Sequence, residues 1–490
     1  MNSALLIITA FMALSIYLAL RARKGKEMTL EQWSVGNRGL GSMLVFLLMA
    51  GEAFTTFTFL GASGFTYAAG APAFYIFNAA YFVLSYWLLP PIWKYAKEKN
   101  LLSQSDFFAS KYNSTALGVL VAIVGVISMI PYLVLQLKGL GIIVSEASYG
   151  TISPSAAIWI GVLTVTVYVM LSGIHGAAWT AVLKDFLILG VVIFMGFYLP
   201  LHYHGGFVEM FKSIDQANPG FLVLPESGLS TYWFVSTLIL WSLGSYMWPH
   251  MFSATYAAKS GRALRRNAIL MPMYQIVLVF VIFIGFAAIF QVPGLKGTDT
   301  DLALFKLSKA TFDPWFVGVI GAAGILAALV PSSMMLNVAA TILSKNVYKI
   351  WKPETTDASL ARLTRYLVPV VAIAALYFTF NGGNTIVTLL IMGYSLVTQL
   401  FPALFFSLWK KNPVTVQGAF CGIIAGLAAV LYTTLSSASM ADLFPAMPQA
   451  FKDFDIGIIA FTINVIVTLT VSAFTRKAGK SDAEPTHSVA

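Results

Sequence analysis

The chain has 490 residues, of which 58% are hydrophobic and only 10% charged, where a soluble domain carries roughly 25% charge. That balance cannot cover a soluble surface, and the apolar residues come in runs of about twenty, the length a helix needs to cross roughly 30 Å of hydrocarbon. A formal net charge of +10 makes the placement of basic residues the first question, and the single cysteine, Cys421, excludes an intrachain disulfide or a cysteine-based redox or metal centre.

In chain order the apolar runs predict thirteen membrane helices, at about residues 4–20, 42–66, 73–93, 117–144, 156–172, 179–200, 232–255, 267–290, 315–344, 366–380, 385–408, 416–435 and 456–474. The first reads as a retained helix: no basic residue precedes it, and Arg21, Arg23, Lys24 and Lys26 follow it without a small-residue cleavage site. Assigned to alternate loops, 23 Lys and Arg fall on one side, among them Arg38, Lys94, Lys111, Lys259, Lys345, Arg365, Lys477 and Lys480. Only five, Lys212, Lys296, Lys306, Lys309 and Lys452, fall on the other. The positive-inside rule then predicts a cell-membrane protein with its N-terminus outside and its C-terminus in the cytoplasm. Lys138 and Lys184 belong to neither set because they lie within spans.

A single transporter domain is predicted over residues 1–480, with a disordered cytoplasmic tail at 481–490. No Gly-x-x-x-x-Gly-Lys-Ser/Thr loop is present, which argues against an ATP-driven pump. Two spans carry interruptions of the kind at which transporters bind solutes, because unwound backbone and half-helix ends replace water around a polar ligand. The second span holds Gly51, Glu52, Thr55, Thr56 and Thr58; the seventh runs Ser242-Leu-Gly-Ser-Tyr-Met-Trp-Pro-His250. The two are five spans apart and enter from opposite sides, the pattern of two inverted five-helix repeats over 42–200 and 232–408, each with a broken first helix.

Glu31 to Gly41, Ser103 to Tyr112, Pro131 to Gly141, Gly173 to Asp185, Trp248-Pro-His250 and Ala327 to Tyr348 together resemble the sodium:solute symporter family, which includes sodium/proline, sodium/glucose and pantothenate symporters. The resemblance runs in order over about residues 1–480. It implies the same all-α polytopic fold of thirteen helices around two inverted repeats. Ala178 to Asp185 and Leu329 to Met335 are most similar to the monocarboxylate permease branch.

In that family a sodium ion sits between the broken helix of the first repeat and paired hydroxyl residues in the ninth span, near an Asp in the sixth. Aligned through Asn346-Val-Tyr348, this chain has Val330 and Pro331 at the hydroxyl positions and Ala181 at the Asp position; a shift of two residues would bring in Ser332 and Ser333. A cation site bounded by Ala50, Glu52 and Ala53 therefore lacks the oxygen ligands that the paired hydroxyls and the Asp would supply, while Lys184 and Asp185 lie about one turn beyond Ala181. Two readings stand: a titrating Lys184–Asp185 pair, or another sodium site around Glu52, takes over coupling, or the pair lies near a helix end with the lysine snorkelling to water.

Lys138, beside Gln136 and Gly139, is either a fixed cation for an anionic solute or an ion-pair partner of Glu52 or Asp185. Thr55, Thr56, Ser245, Tyr246, Trp248 and His250 are candidate solute contacts, against the ordinary roles of hydroxyls bonded to their own backbone and a histidine hydrogen-bonded in a helix. The expectation is a secondary symporter that imports a small, anionic organic solute, a monocarboxylate first and an amino acid, sugar or pantothenate-like solute second. Na+ or H+ would couple it, with no other cofactor, no nucleic-acid partner and no obligate protein partner. A channel, sensor or membrane enzyme is the other class, but no His-Glu-x-x-His, catalytic carboxylate pair or signalling domain supports it.

Overall fold

Helices follow the apolar runs because backbone polar groups in hydrocarbon must be satisfied within the chain. The computed structural model describes residues 2–25, 27–436 and 438–476; the predicted tail at 481–490 and the basic residues Lys26, Lys477 and Lys480 lie outside them. The labelled helices are α1 (Ser3–Arg23), α2 (Ser42–Gly51), α3 (Ala62–Ala69), α4 (Ala80–Glu98), α5 (Gln104–Tyr112), α6 (Thr115–Ala147), α7 (Pro154–His204), α8 (Thr231–Gly244) and α9 (Pro249–Ala257). They continue with α10 (Gly261–Gln275), α11 (Leu278–Gln291), α12 (Pro314–Ile342), α13 (Asp357–Asn381), α14 (Ile386–Val397), α15 (Val416–Ser436) and α16 (Ile456–Thr475).

Among the described residues ten helical elements are long and apolar enough to cross a membrane, so the structure does not reproduce the predicted count of thirteen. The predicted second and seventh spans are each split, into α2 and α3 and into α8 and α9. The predicted fifth and sixth run together in the 51 residues of α7. The chain folds back inside that element at Gly173, whose φ of 56° and ψ of −152° suit glycine alone. A straight helix would set Tyr168 and Thr180 about 18 Å apart, yet their hydroxyls lie 2.7 Å apart.

Helix α12 is the buried axis, with every residue from Gly321 to Thr341 inside. Small residues let its neighbours approach closely. A Cβ on Gly318 would meet the backbone of Ala4 in α1, and one on Gly324 would meet Ile143 of α6 and Phe59. This packing holds the first break, at residues 52–56, against α6 and α12.

Candidate functional site

At the first break the carbonyls and amides freed after Gly51 are taken up by local side chains. The amide of Phe57 donates to Thr55 Oγ1 at 3.1 Å and that of Thr55 to Thr58 Oγ1 at 2.8 Å. Gln136 reaches in from α6, its Oε1 accepting from the Thr56 hydroxyl at 2.6 Å. A Cβ on Gly139 would lie 2.5 Å from Thr56, so glycine there permits the close approach. Thr55, Thr56 and Gln136 thus build the break and do not line its cavity. The second break is held likewise: Ser245 Oγ donates to the Trp241 carbonyl at 2.7 Å, and Gln104 Nε2 to the Met247 carbonyl at 2.6 Å. Pro249 then opens α9 at a first-turn position where its missing N–H costs nothing.

A cavity of about 50 Å³ lies between the two breaks. Glu52, Ala53 and Thr58 line it from the first break, and Ser245, Tyr246, Trp248 and His250 from the second. Tyr81, Tyr132, Trp241, Gln275 and Tyr394 complete the wall. Glu52 Oε2 and His250 Nε2 come within 3.0 Å of each other across the cavity, both side chains buried, so this contact joins the first helices of the two repeats. Tyr132 packs against Trp248 with centroids 5.0 Å apart, and Trp248 against Tyr394 at 5.3 Å. Sequence reasoning missed these tyrosines, Trp241 and Gln275, because an aromatic residue in an apolar run looks the same whether it faces lipid or a cavity. Gln275, a polar residue inside the predicted eighth span, was the available signal.

Behind this cavity, on the far side of the first break, Lys184 and Asp185 form a fully buried pair. Lys184 Nζ lies 2.8 Å from Asp185 Oδ1, 2.9 Å from the Phe54 carbonyl and 3.1 Å from the Gly51 carbonyl. Three acceptors match the three protons of an ammonium. Tyr274 of α10 donates to the same carboxylate oxygen at 2.9 Å. The lysine therefore does not snorkel; its amine is bound to the unwound backbone. Around it, a Cβ on Gly51 would sit 3.2 Å from Val330 and 3.8 Å from Ala181, so the alignment through Tyr348 gives the observed neighbours. The two-residue shift is corrected: Ser333 returns its hydroxyl to the Val330 carbonyl at 2.7 Å, and Ser332 Oγ is buried without a hydrogen-bond partner among the described residues. Ala50 is buried in the preceding turn.

The expectation for Lys138 is also corrected. Its ammonium turns away from the cavity to Asp301 at 2.8 Å and the Asn384 carbonyl at 3.0 Å. Asp301 also accepts from the Ile386 amide at 3.2 Å. Neither Glu52 nor Asp185 is its partner, because Asp301, 163 residues along the chain, is nearer to its end of α6.

Two broken helices from inverted halves, joined across a small cavity, are the geometry of an alternating-access carrier. The sodium:solute symporter family profile matches residues 33–426. The chain belongs to the sodium:solute symporter family. This symporter is 61% identical over 486 residues, 99% of each chain, to the uncharacterized symporter YhjB of Bacillus subtilis. It is 28% identical over 470 residues, 93% of each chain, to a monocarboxylate transport permease protein of Rhizobium johnstonii. A sodium/proline symporter of Haemophilus influenzae is 23% identical over 91% of this chain and 90% of its own. In structure the symporter superposes on a sodium-coupled sialic acid symporter in a substrate-bound outward-open state with a TM-score of 0.78, at 15% identity and over 97% and 98% of the two chains. A nucleobase-cation-symport-1 family transporter in a closed conformation gives 0.57 at 13% identity, over 90% and 92%. These likenesses show the fold of two inverted five-helix repeats. The chain is a polytopic membrane carrier for a small-molecule solute and not an enzyme.

Proposed function

We propose that this symporter imports a small organic solute through the cavity between the helix breaks, with Lys184 standing where family members hold sodium and a proton supplying the coupling. The observation that carries this reading is the Lys184 ammonium on the carbonyls of Gly51 and Phe54, with Val330 and Ala181 where oxygen ligands are required. A charged amine here ties α2 to α7, and loss of a proton from Nζ removes one donor and the positive charge that holds the Asp185 carboxylate. The break then loosens, and the bundle can open toward the other side.

Under this reading the protein lies in the cell membrane with its N-terminus outside. One relative, the Rhizobium johnstonii permease, is named for monocarboxylates, but Lys138, paired with Asp301, lends an anionic solute no support here. Proteoliposomes with imposed gradients test the coupling. An inward proton gradient is expected to drive accumulation in the absence of sodium, and strict sodium dependence that survives collapse of the proton gradient overturns it.

A further inference from the structure

From the cavity between the helix breaks we infer the solute's chemistry: it carries a positively charged nitrogen, a protonated amine or quaternary ammonium, that docks on Glu52 within a cage of aromatic rings. The inference rests on the reading of this cavity as the solute site. Among its lining residues there is no Lys or Arg, and Glu52 is the only acid. An ionised carboxylate only accepts hydrogen bonds. Glu52 is buried, its Oε2 lies 3.0 Å from His250 Nε2, and neither carboxylate oxygen has a hydrogen-bond partner among the described residues. A buried acceptor left in that state calls for a donor or a cation. Anionic solutes meet the opposite: the one fixed cation of α6, Lys138, is turned away and neutralised by Asp301.

The walls suit the same ligand. Tyr132, Trp248 and Tyr394 surround the carboxylate end of the cavity, packed edge to face or tilted against one another. Ring faces attract cations, most strongly when water is excluded, and quaternary ammonium groups are bound elsewhere by such cages. About 50 Å³ admits about four water molecules, so the ligand has only a few heavy atoms beyond its nitrogen.

The test is intrinsic tryptophan fluorescence of the purified full chain, titrated with tetramethylammonium and glycine betaine against acetate and pyruvate, followed by uptake of the same compounds in proteoliposomes. The nitrogen compounds are expected to bind, with affinity at least tenfold weaker in Glu52→Gln, while acetate and pyruvate fail to compete. Glu226→Gln, which removes an exposed acid outside the cavity, is expected to retain that binding. Binding of the nitrogen compounds without gradient-driven accumulation upholds the inference and overturns the symport reading. Pyruvate uptake without nitrogen-compound binding overturns the inference and leaves symport standing. Unchanged affinity in Glu52→Gln, no binding by any of the four, or a Glu52-dependent response to sodium alone also overturns it.

Discussion

On the proposed reading, Lys184 supplies from within the chain a positive charge that would otherwise come from solution. Its replacement separates the two roles of that charge. Lys184→Ala leaves Asp185 buried and unpaired, and breaking a buried pair in this way costs about 3–5 kcal/mol. The same change exposes an all-oxygen set, the Gly51 and Phe54 carbonyls and Asp185, which is what a hard cation prefers. Sodium is therefore expected to raise the melting temperature of Lys184→Ala and to leave the parent unchanged. A ligand present at a hundred times its Kd restores about 2.7 kcal/mol, so the rescue is measurable in a thermal melt with choline as the control. Equal sodium stabilisation of both proteins would show that the cation binds elsewhere. The pair itself was legible because two charges inside an apolar run demand an explanation. Its acceptors were not, since main-chain carbonyls 130 and 133 residues away carry no sequence signal.

Among the elements, the breaks were legible and their surroundings were not. Gly51 with a run of threonines, and Gly244 with Pro249, mark places where a helix ends and another begins, and both are realised. The junction within α7 was legible as well, since the predicted fifth and sixth spans part between 172 and 179, where Gly173 turns the chain without a polar loop. A hidden link ties α5 to the segment after α12. Asp106 caps its own helix through the Leu102 amide at 2.8 Å, accepts from Asn346 Nδ2 at 2.7 Å, and pairs with Lys345. Burial pushes its carboxyl up, but the Lys345 ammonium and these hydrogen bonds outweigh that and leave it below the ordinary carboxylate value. The native state thus prefers the ionised form. The link contributes fully above the unfolded-state value of about 3.9 and is lost as pH falls through the lower folded-state value. Melting temperature is expected to fall as pH drops below about 4 and to go on falling through the lower folded-state value, and Asp106→Asn should be less stable at neutral pH with a flatter acid limb. An unchanged acid limb in the variant would assign acid sensitivity to other carboxylates.

For the whole molecule, the excess of basic residues predicts an orientation. Insertion keeps Lys and Arg of short loops on the cytoplasmic side, and the sorting of 23 against five would put the N-terminus outside. The interior obeys the same economy: Lys138 is neutralised by Asp301 and Lys184 by Asp185, one pair joining distant parts of the sequence and the other successive residues of one helix. The Lys138–Asp301 tie lies toward the end that the sorting assigns to the outside. That assignment is open to direct measurement, because Cys421 is the sole cysteine and its replacement by serine gives a clean background. In intact cells a membrane-impermeant maleimide is expected to label Lys212→Cys, while Lys259→Cys should react only after permeabilisation. The reverse pattern would invert the topology and place the Lys138–Asp301 tie toward the cytoplasmic side.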